Sequence, residues 1–354
     1  MQSVAARTKP DIPLQSEVSN PMFRKIDTFL LCLVATILIA TFFPCTGNET
    51  KFFQILAIIV IGIMFFFQGA RLSRHAILDG MTNWRIHLAI LGCTFAVFPL
   101  LGVGFHRVFP SFLDADTWTG LLFLCCLPST VQSSIAFTSI GQGNVAAAIC
   151  SATMSNILGI FITPVLTGLV MHQSASSPGG ITSIMLQLLL PFMLGQMAQP
   201  WIGGWVHRYK KLISITDRTS ILIVVYTAFS EAVVQGLWHR VPAAQIGRIM
   251  VADSLILFTV LVLTTIGSRL LGFSRRDEVA IVFCGSKKTL ASGVPMANVL
   301  FAGPVVGIIV LPLMIYHQIQ LFVCATLARH YARRAAGHDP SKQPQPRAGQ
   351  RIEE

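Results

Sequence analysis

Two adjacent lysines, Lys287 and Lys288, stand in Phe283-Cys284-Gly285-Ser286-Lys287-Lys288-Thr289-Leu290-Ala291-Ser292-Gly293-Val294-Pro295-Met296, within a segment otherwise apolar enough to span a bilayer. A charge at mid-membrane depth costs at least about 2.5–3.5 kcal/mol. Two charges among glycines, small hydroxyl residues and a proline therefore point to a polar site built around a broken helix. The depth fits. The span starts near Asp277, and the lysines lie roughly 15–17 Å further on at about 1.5 Å per residue, half the hydrocarbon thickness. An ammonium cannot easily snorkel to water from there. It has two remaining uses. It can offset the charge of an anion that has left water. It can also cap carbonyls freed by the helix break, as a bound cation would. Both readings stand for Lys287 and Lys288, with Ser286 and Thr289 beside them.

A second cluster lies far away in the chain, at Cys125-Cys126-Leu127-Pro128-Ser129-Thr130-Val131-Gln132-Ser133-Ser134. Pro128 leaves a backbone carbonyl without its N–H partner, and the small polar residues can satisfy it. They could do only that, or glue helices together. Alternatively, Gln132, Ser133 and Ser134 face the same cavity as Lys287. Ser151, Thr153 and Asn156 form a further polar stripe, and stripes of this kind are common at membrane helix contacts. Two carboxylates fall inside apolar runs, Glu231 and Asp253. They lie near the outer interface, balance a lysine or carry a proton. His317 and Gln318 are weaker candidates of the same sort.

The elements that must position these residues are membrane helices. The chain has 354 residues, 53% hydrophobic and 12% charged, with mean hydropathy +0.66. Soluble domains carry about 25% charged residues. Ten spans are expected, at roughly 27–44, 52–70, 84–106, 116–139, 143–171, 181–204, 217–237, 245–271, 277–300 and 303–330. A polar tail over 1–26 precedes them, with no cleaved signal peptide, and a disordered tail over 331–354 follows. The net charge of +11 does not indicate nucleic acid, because the basic residues gather at span ends and in the tails. Twenty of the 26 lysines and arginines fall on one side of the ten-span arrangement and four on the other. By the positive-inside rule both termini are cytoplasmic. The eight cysteines lie in or beside apolar runs, with no spacing that suggests a metal or a disulfide framework.

Ten spans divide into 27–171 and 172–330. Each half carries its interrupted polar segment in its fourth span. Five spans per half makes the second repeat inverted, and paired interrupted helices mark a midplane binding site.

Gly285-Ser286-Lys287-Lys288-Thr289-Leu290-Ala291-Ser292-Gly293-Val294-Pro295 resembles the span-nine signature of the bile acid:sodium symporter family. The resemblance is to the branch that includes the seventh member of the human bile-acid carriers and bacterial and fungal homologues. Cys125 to Ser134 is similar to that branch's span-four signature, and the likeness covers nearly all the chain apart from the tails. It implies two inverted five-helix repeats. Spans one, two, six and seven would form a panel, and the remaining spans a core in which broken spans four and nine cross. The implied activity is sodium-coupled uptake of organic anions. Sodium-coupled members carry a glutamate, then a glutamine and an asparagine, in span nine. Aligned on Gly285, Phe283 takes the place of the glutamate, and Lys287 and Lys288 take the places of the amides. The other sodium site, carried toward Ser133, Ser134 and the span-five stripe, would lose the glutamate it shares.

The expected function is secondary transport of a small organic anion by alternating access, without a cofactor or bound metal, coupled to H+ or Na+, with sodium disfavoured. The expected location is the cell (inner) membrane. An alternative is a regulatory membrane protein of the same fold that transports nothing. An intramembrane enzyme using Ser286 and Lys287 as a nucleophile–base pair is disfavoured, because adjacent residues point to different helix faces.

Overall fold

The computed structural model describes residues 28–71, 83–171, 178–237, 241–301 and 303–336. Every regular element among them is helical. We number the helices α1 (Thr28–Phe42), α2 (Asn48–Arg71), α3 (Trp84–Val108), α4 (Ala115–Cys126), α5 (Gln132–Ile140) and α6 (Val145–Val170). They continue as α7 (Pro178–Arg208), α8 (Lys210–Val234), α9 (Ala243–Leu270), α10 (Arg275–Gly285), α11 (Leu290–Leu300) and α12 (Val305–Ala336). Among the described residues, six helices are long and apolar enough to cross a membrane: α2, α3, α6, α8, α9 and α12. The molecule is a polytopic helical membrane protein. Large apolar side chains such as Leu38, Phe42, Phe52, Trp201, Phe258 and Phe322 face outward, as lipid contact requires.

The fourth and ninth expected spans are each two half-helices. Leu127 is extended after α4, with φ −74° and ψ 154°, and Pro128 follows it. A residue before proline is pushed out of the α region, which ends α4 there. In the second break, Thr289 is extended before α11, with φ −88° and ψ 123°. Helix α10 starts cleanly, because the Ser274 hydroxyl accepts from the Asp277 N–H and Asp277 and Glu278 sit in its first turn. Helix α3 is continuous but holds a π-turn over Cys93–Val97. Pro99 follows that turn and offers no N–H to Phe95, so the ladder shifts there.

Two packing groups emerge. In one, α2 packs along α7 and α8, and α1 along α8. Helices α2 and α7 touch backbone to backbone, since a Cβ on Gly195 would collide with the Phe66 carbonyl. In the other group α4 packs on α12, α9 on α10 and α12, and α10 on α3, α5 and α6. Gly120 lets α4 approach the Ile309 backbone, and Gly159 of α6 leaves room for the Pro128 ring.

Two boundaries differ from expectation. Helix α8 begins at Lys210 rather than near 217, because its polar first turns lie outside the apolar run that marks a span. Helix α12 continues to Ala336, so 331–336 are helical and not part of a tail. The expected tails over 1–26 and beyond 336 lie outside the described residues.

Candidate functional site

The two breaks cross and bond to one another. The Thr289 N–H donates to the Pro128 carbonyl at 3.0 Å. The Ser129 hydroxyl donates to the Cys284 carbonyl at 2.6 Å, and the Ser134 hydroxyl to the Phe283 carbonyl at 3.2 Å. Buried backbone groups must find partners, and carbonyls at helix ends have none within the helix. Here most of the freed carbonyls are met by side chains, and Pro128 O by a backbone N–H. Gly285 O accepts from Cys93 Sγ at 3.4 Å, and Ser286 O from the Tyr316 hydroxyl at 2.8 Å. Cys126 O accepts from the Thr163 hydroxyl at 2.9 Å.

The two linkers are pinned alike. Asn156 of α6 donates Nδ2 to Ser129 O at 2.6 Å. Gln320 of α12 donates Nε2 to Lys288 O at 2.9 Å and accepts the Lys288 N–H at 2.9 Å. The second Nε2 hydrogen points to His317 Nδ1, 2.9 Å away, which fixes the orientation of the amide.

The lysines diverge. Both side chains are fully buried. Lys288 Nζ donates to Leu127 O at 2.7 Å and to Thr94 O and Cys125 O at 2.8 Å each. It lies 4.0 Å from the centroid of the Phe98 ring. Its three hydrogens thus have three acceptors and a π-face. Among the described residues Lys287 Nζ has no hydrogen-bond partner, and it sits 3.7 Å from the Phe137 ring centroid.

A polar cavity of about 230 Å³ opens against the crossing. Thr130, Gln132, Ser133 and Asn156 line it from one side, Thr289, Leu290 and His317 from another, and Arg71, Asp217 and Arg218 from the facing helices. The first turns of α5 and α11 border it, so two sets of free helix N–H groups and their dipole ends are close at hand. Arg71 is tied to Asp217 at 2.6 Å. Arg218 lies over the Phe29 ring, 5.5 Å from its centroid. A larger cavity of about 790 Å³ lies further along α2 and α8, between the two packing groups, lined by Gln54, Thr227, Glu231 and Asn298 among others.

The expected site residues therefore do not share one place. Gln132, Ser133, Asn156 and Thr289 border the polar cavity. Ser134, Ser286, Lys287 and Lys288 are buried behind it. The shared cavity for Lys287, Gln132, Ser133 and Ser134 is corrected in this respect: the lysines and Ser134 turn away from it into the helix contacts. Ser286 is spent on the Val282 carbonyl at 2.6 Å. Thr153 is half-buried on α6, outside the bonds that hold the crossing. Glu231 borders the larger cavity, and Asp253 is fully buried, with neither carboxylate oxygen partnered among the described residues.

Sequence reasoning missed Gln320, Tyr316, Thr94 and the cavity face of Arg71, Asp217 and Arg218. The arginines were read only as topology signals. Gln320 carried a legible signal, since it shares a helix face with Tyr316 and His317, while Gln318 does not.

Residues 27–333 match the SBF-like CPA transporter family. The chain belongs to that family. It is similar to an uncharacterised protein of Pseudomonas aeruginosa, 53% identical over 320 residues, covering 90% of this chain and 96% of the relative. It is similar to the putative symporter YfeH of Escherichia coli K12, 53% identical over 314 residues, covering 88% and 95%. The rat sodium/bile acid cotransporter 7 is 31% identical over 277 residues, covering 76% and 81%. The protein is a transporter of the bile acid:sodium symporter kind, and not an enzyme.

Proposed function

We propose that the protein is a secondary transporter of a small organic anion, working by alternating access, for which sodium is not obligatory. The observation that carries this reading is the polar cavity at the crossing, where Arg71 and Arg218 face the first turns of α5 and α11. Helix N-termini and guanidinium groups both favour an anion. The cavity's volume of about 230 Å³ equals about eight water molecules at ~30 Å³ each, which suits a compact carboxylate. Flanking it, the groove between the two packing groups gives a route along α2 and α8 to the larger cavity. That is the arrangement a rocking panel and core would use.

Ten spans in two inverted repeats fit the packing. Exchange of the halves turns the α1–α8 contact into the α7–α2 contact, and both occur. Asn156 and Gln320 then correspond as the amides that hold a linker carbonyl, on Ser129 and Lys288, and Thr130 and Thr289 correspond as the residues that follow those carbonyls. The distribution of basic residues favours cytoplasmic termini in an inner-membrane protein. Reporter fusions should read outside at Gly47 and inside at Gly141 and Ala335. An outside signal at Ala335 would sink this topology.

Sodium is disfavoured by what stands at the crossing. Phe283 packs with Phe137 and Tyr331, at ring-centroid distances of 6.0 Å each. It brings no oxygen. A proton or an exchanged anion would replace sodium as the driving ion, with Asp253 and Glu231 as proton carriers. The test is a counterflow screen in proteoliposomes, using small mono- and dicarboxylates and sulfonates in sodium or choline buffer at several pH values. At least one anion should exchange as fast in choline as in sodium. Uptake that vanishes in choline and saturates with sodium would overturn the sodium statement. If no anion exchanged, the non-transporting regulatory alternative would take its place.

A further inference from the structure

We propose that Thr94 O, Cys125 O and Leu127 O form a monovalent-cation site that the chain fills with its own Lys288 ammonium. The proposal rests on the geometry of this cage and stands whatever the substrate is.

The cage comes from three backbone irregularities. In an unbroken helix Thr94 O would accept from the Phe98 N–H. The π-turn sends that N–H to Cys93 O instead, and Thr94 O is released. Cys125 O would accept from the Ser129 N–H, but that group donates to the Ser155 hydroxyl at 3.0 Å. Leu127 O is released by the break after α4. All three oxygens converge on one point, within 2.7–2.8 Å of Lys288 Nζ. The Phe98 face closes another side, 4.0 Å from Nζ. Backbone carbonyls gathered around one point, with an aromatic face beside them, are the groups that hold monovalent cations elsewhere. No anionic side chain contributes to the cage, so it suits a single positive charge.

A cation that is covalently held cannot leave with the substrate. It also links α3, α4 and the α10–α11 break through one atom. Deleting the side chain beyond Cβ should expose the cage to free cations without rebuilding it.

The experiment uses Lys288→Ala and Lys288→Met in the full-length protein, purified in detergent. Melting temperatures are measured in choline chloride, then with added NaCl, KCl or propylammonium chloride. Lys288→Ala should melt below wild type in choline. One of the small cations should return at least half of the lost shift, saturating with concentration as binding to the folded state requires. Lys288→Met fills the space without charge, so it should also melt early but respond to no cation. The wild type should not respond. Rescue by propylammonium alone would define an ammonium site, and rescue by an alkali ion a metal site; either supports the proposal. The proposal is overturned if Lys288→Ala melts like wild type in choline. It is also overturned if no cation shifts it more than it shifts Lys288→Met, or if no salt yields folded Lys288→Ala.

Discussion

Lys287→Met should raise the melting temperature of the purified protein, whereas Lys288→Met should lower it. The residues are adjacent, chemically identical and equally buried, so neither composition nor depth distinguishes them. Their partners do. Lys288 Nζ meets three carbonyls, and its loss leaves three buried acceptors unpaired. Each stranded group costs about 1–3 kcal/mol, and breaking a buried charged network typically costs about 3–5 kcal/mol. Lys287 Nζ has three donors and, among the described residues, no acceptor, with the Phe137 ring beside it. Methionine keeps the stem as far as Cε and removes the unpaired polar head, and the cation–π contact with Phe137 that goes with it is the smaller term. Replacing buried charge by a well-packed apolar side chain often stabilises by about 1–4 kcal/mol. Thermal unfolding of the two variants beside wild type checks the signs. Equal shifts would contradict the assignment of partners. The same Lys287→Met protein should lose anion exchange while staying folded, because a chain that keeps an unpaired ammonium at its crossing keeps it against its own stability.

The architecture was legible in the sequence to a useful depth. Apolar length marks the spans, and Pro128 with its hydroxyl neighbours marks the break in the fourth. The glycine–lysine–glycine–proline run marks the ninth. What could not be read was which polar atoms meet across the crossing. Lys287 and Lys288 differ by one position, and in an extended linker one position turns a side chain to the opposite side. The release of Thr94 O depends on a shift in the hydrogen-bond ladder, for which Pro99 is the only trace in the sequence. Arg71 and Arg218 sit near span ends, where basic residues are common for reasons of topology alone. Their cavity face follows from helix rotation, which no span boundary fixes. In span ten, choosing Gln318 over Gln320 was an error of helical phase on a helix polar at both positions.

Gln320→Leu should therefore be severe, while Gln318→Leu should be nearly silent. Gln320 is fully buried on α12, and its amide accepts the Lys288 N–H and donates to the Lys288 carbonyl, both at 2.9 Å. Leucine is close in size, so packing is largely kept and the polar loss is what is measured. The substitution strands a backbone donor and a backbone acceptor in a dry linker, on the order of 2–5 kcal/mol together. It also frees the peptide that carries the Lys288 side chain into its carbonyl cage. The second half-helix, α11, would then start from an unpinned link, and its first turn borders the polar cavity. Anion exchange should fall to background even in protein that still folds. Gln318 is half-buried and takes no part in the bonds at the crossing, so its replacement should stay within about 0.5 kcal/mol of wild type. Asn156→Ala, which removes the matching bond to Ser129 O on the other linker, should behave like Gln320→Leu but more mildly, since one bond to a linker is lost rather than two. Melting temperatures and counterflow rates of the three variants decide the matter. If Gln318→Leu proved as damaging as Gln320→Leu, the rotation of α12 against the crossing would be wrong, and the paired role of Asn156 and Gln320 would fall with it.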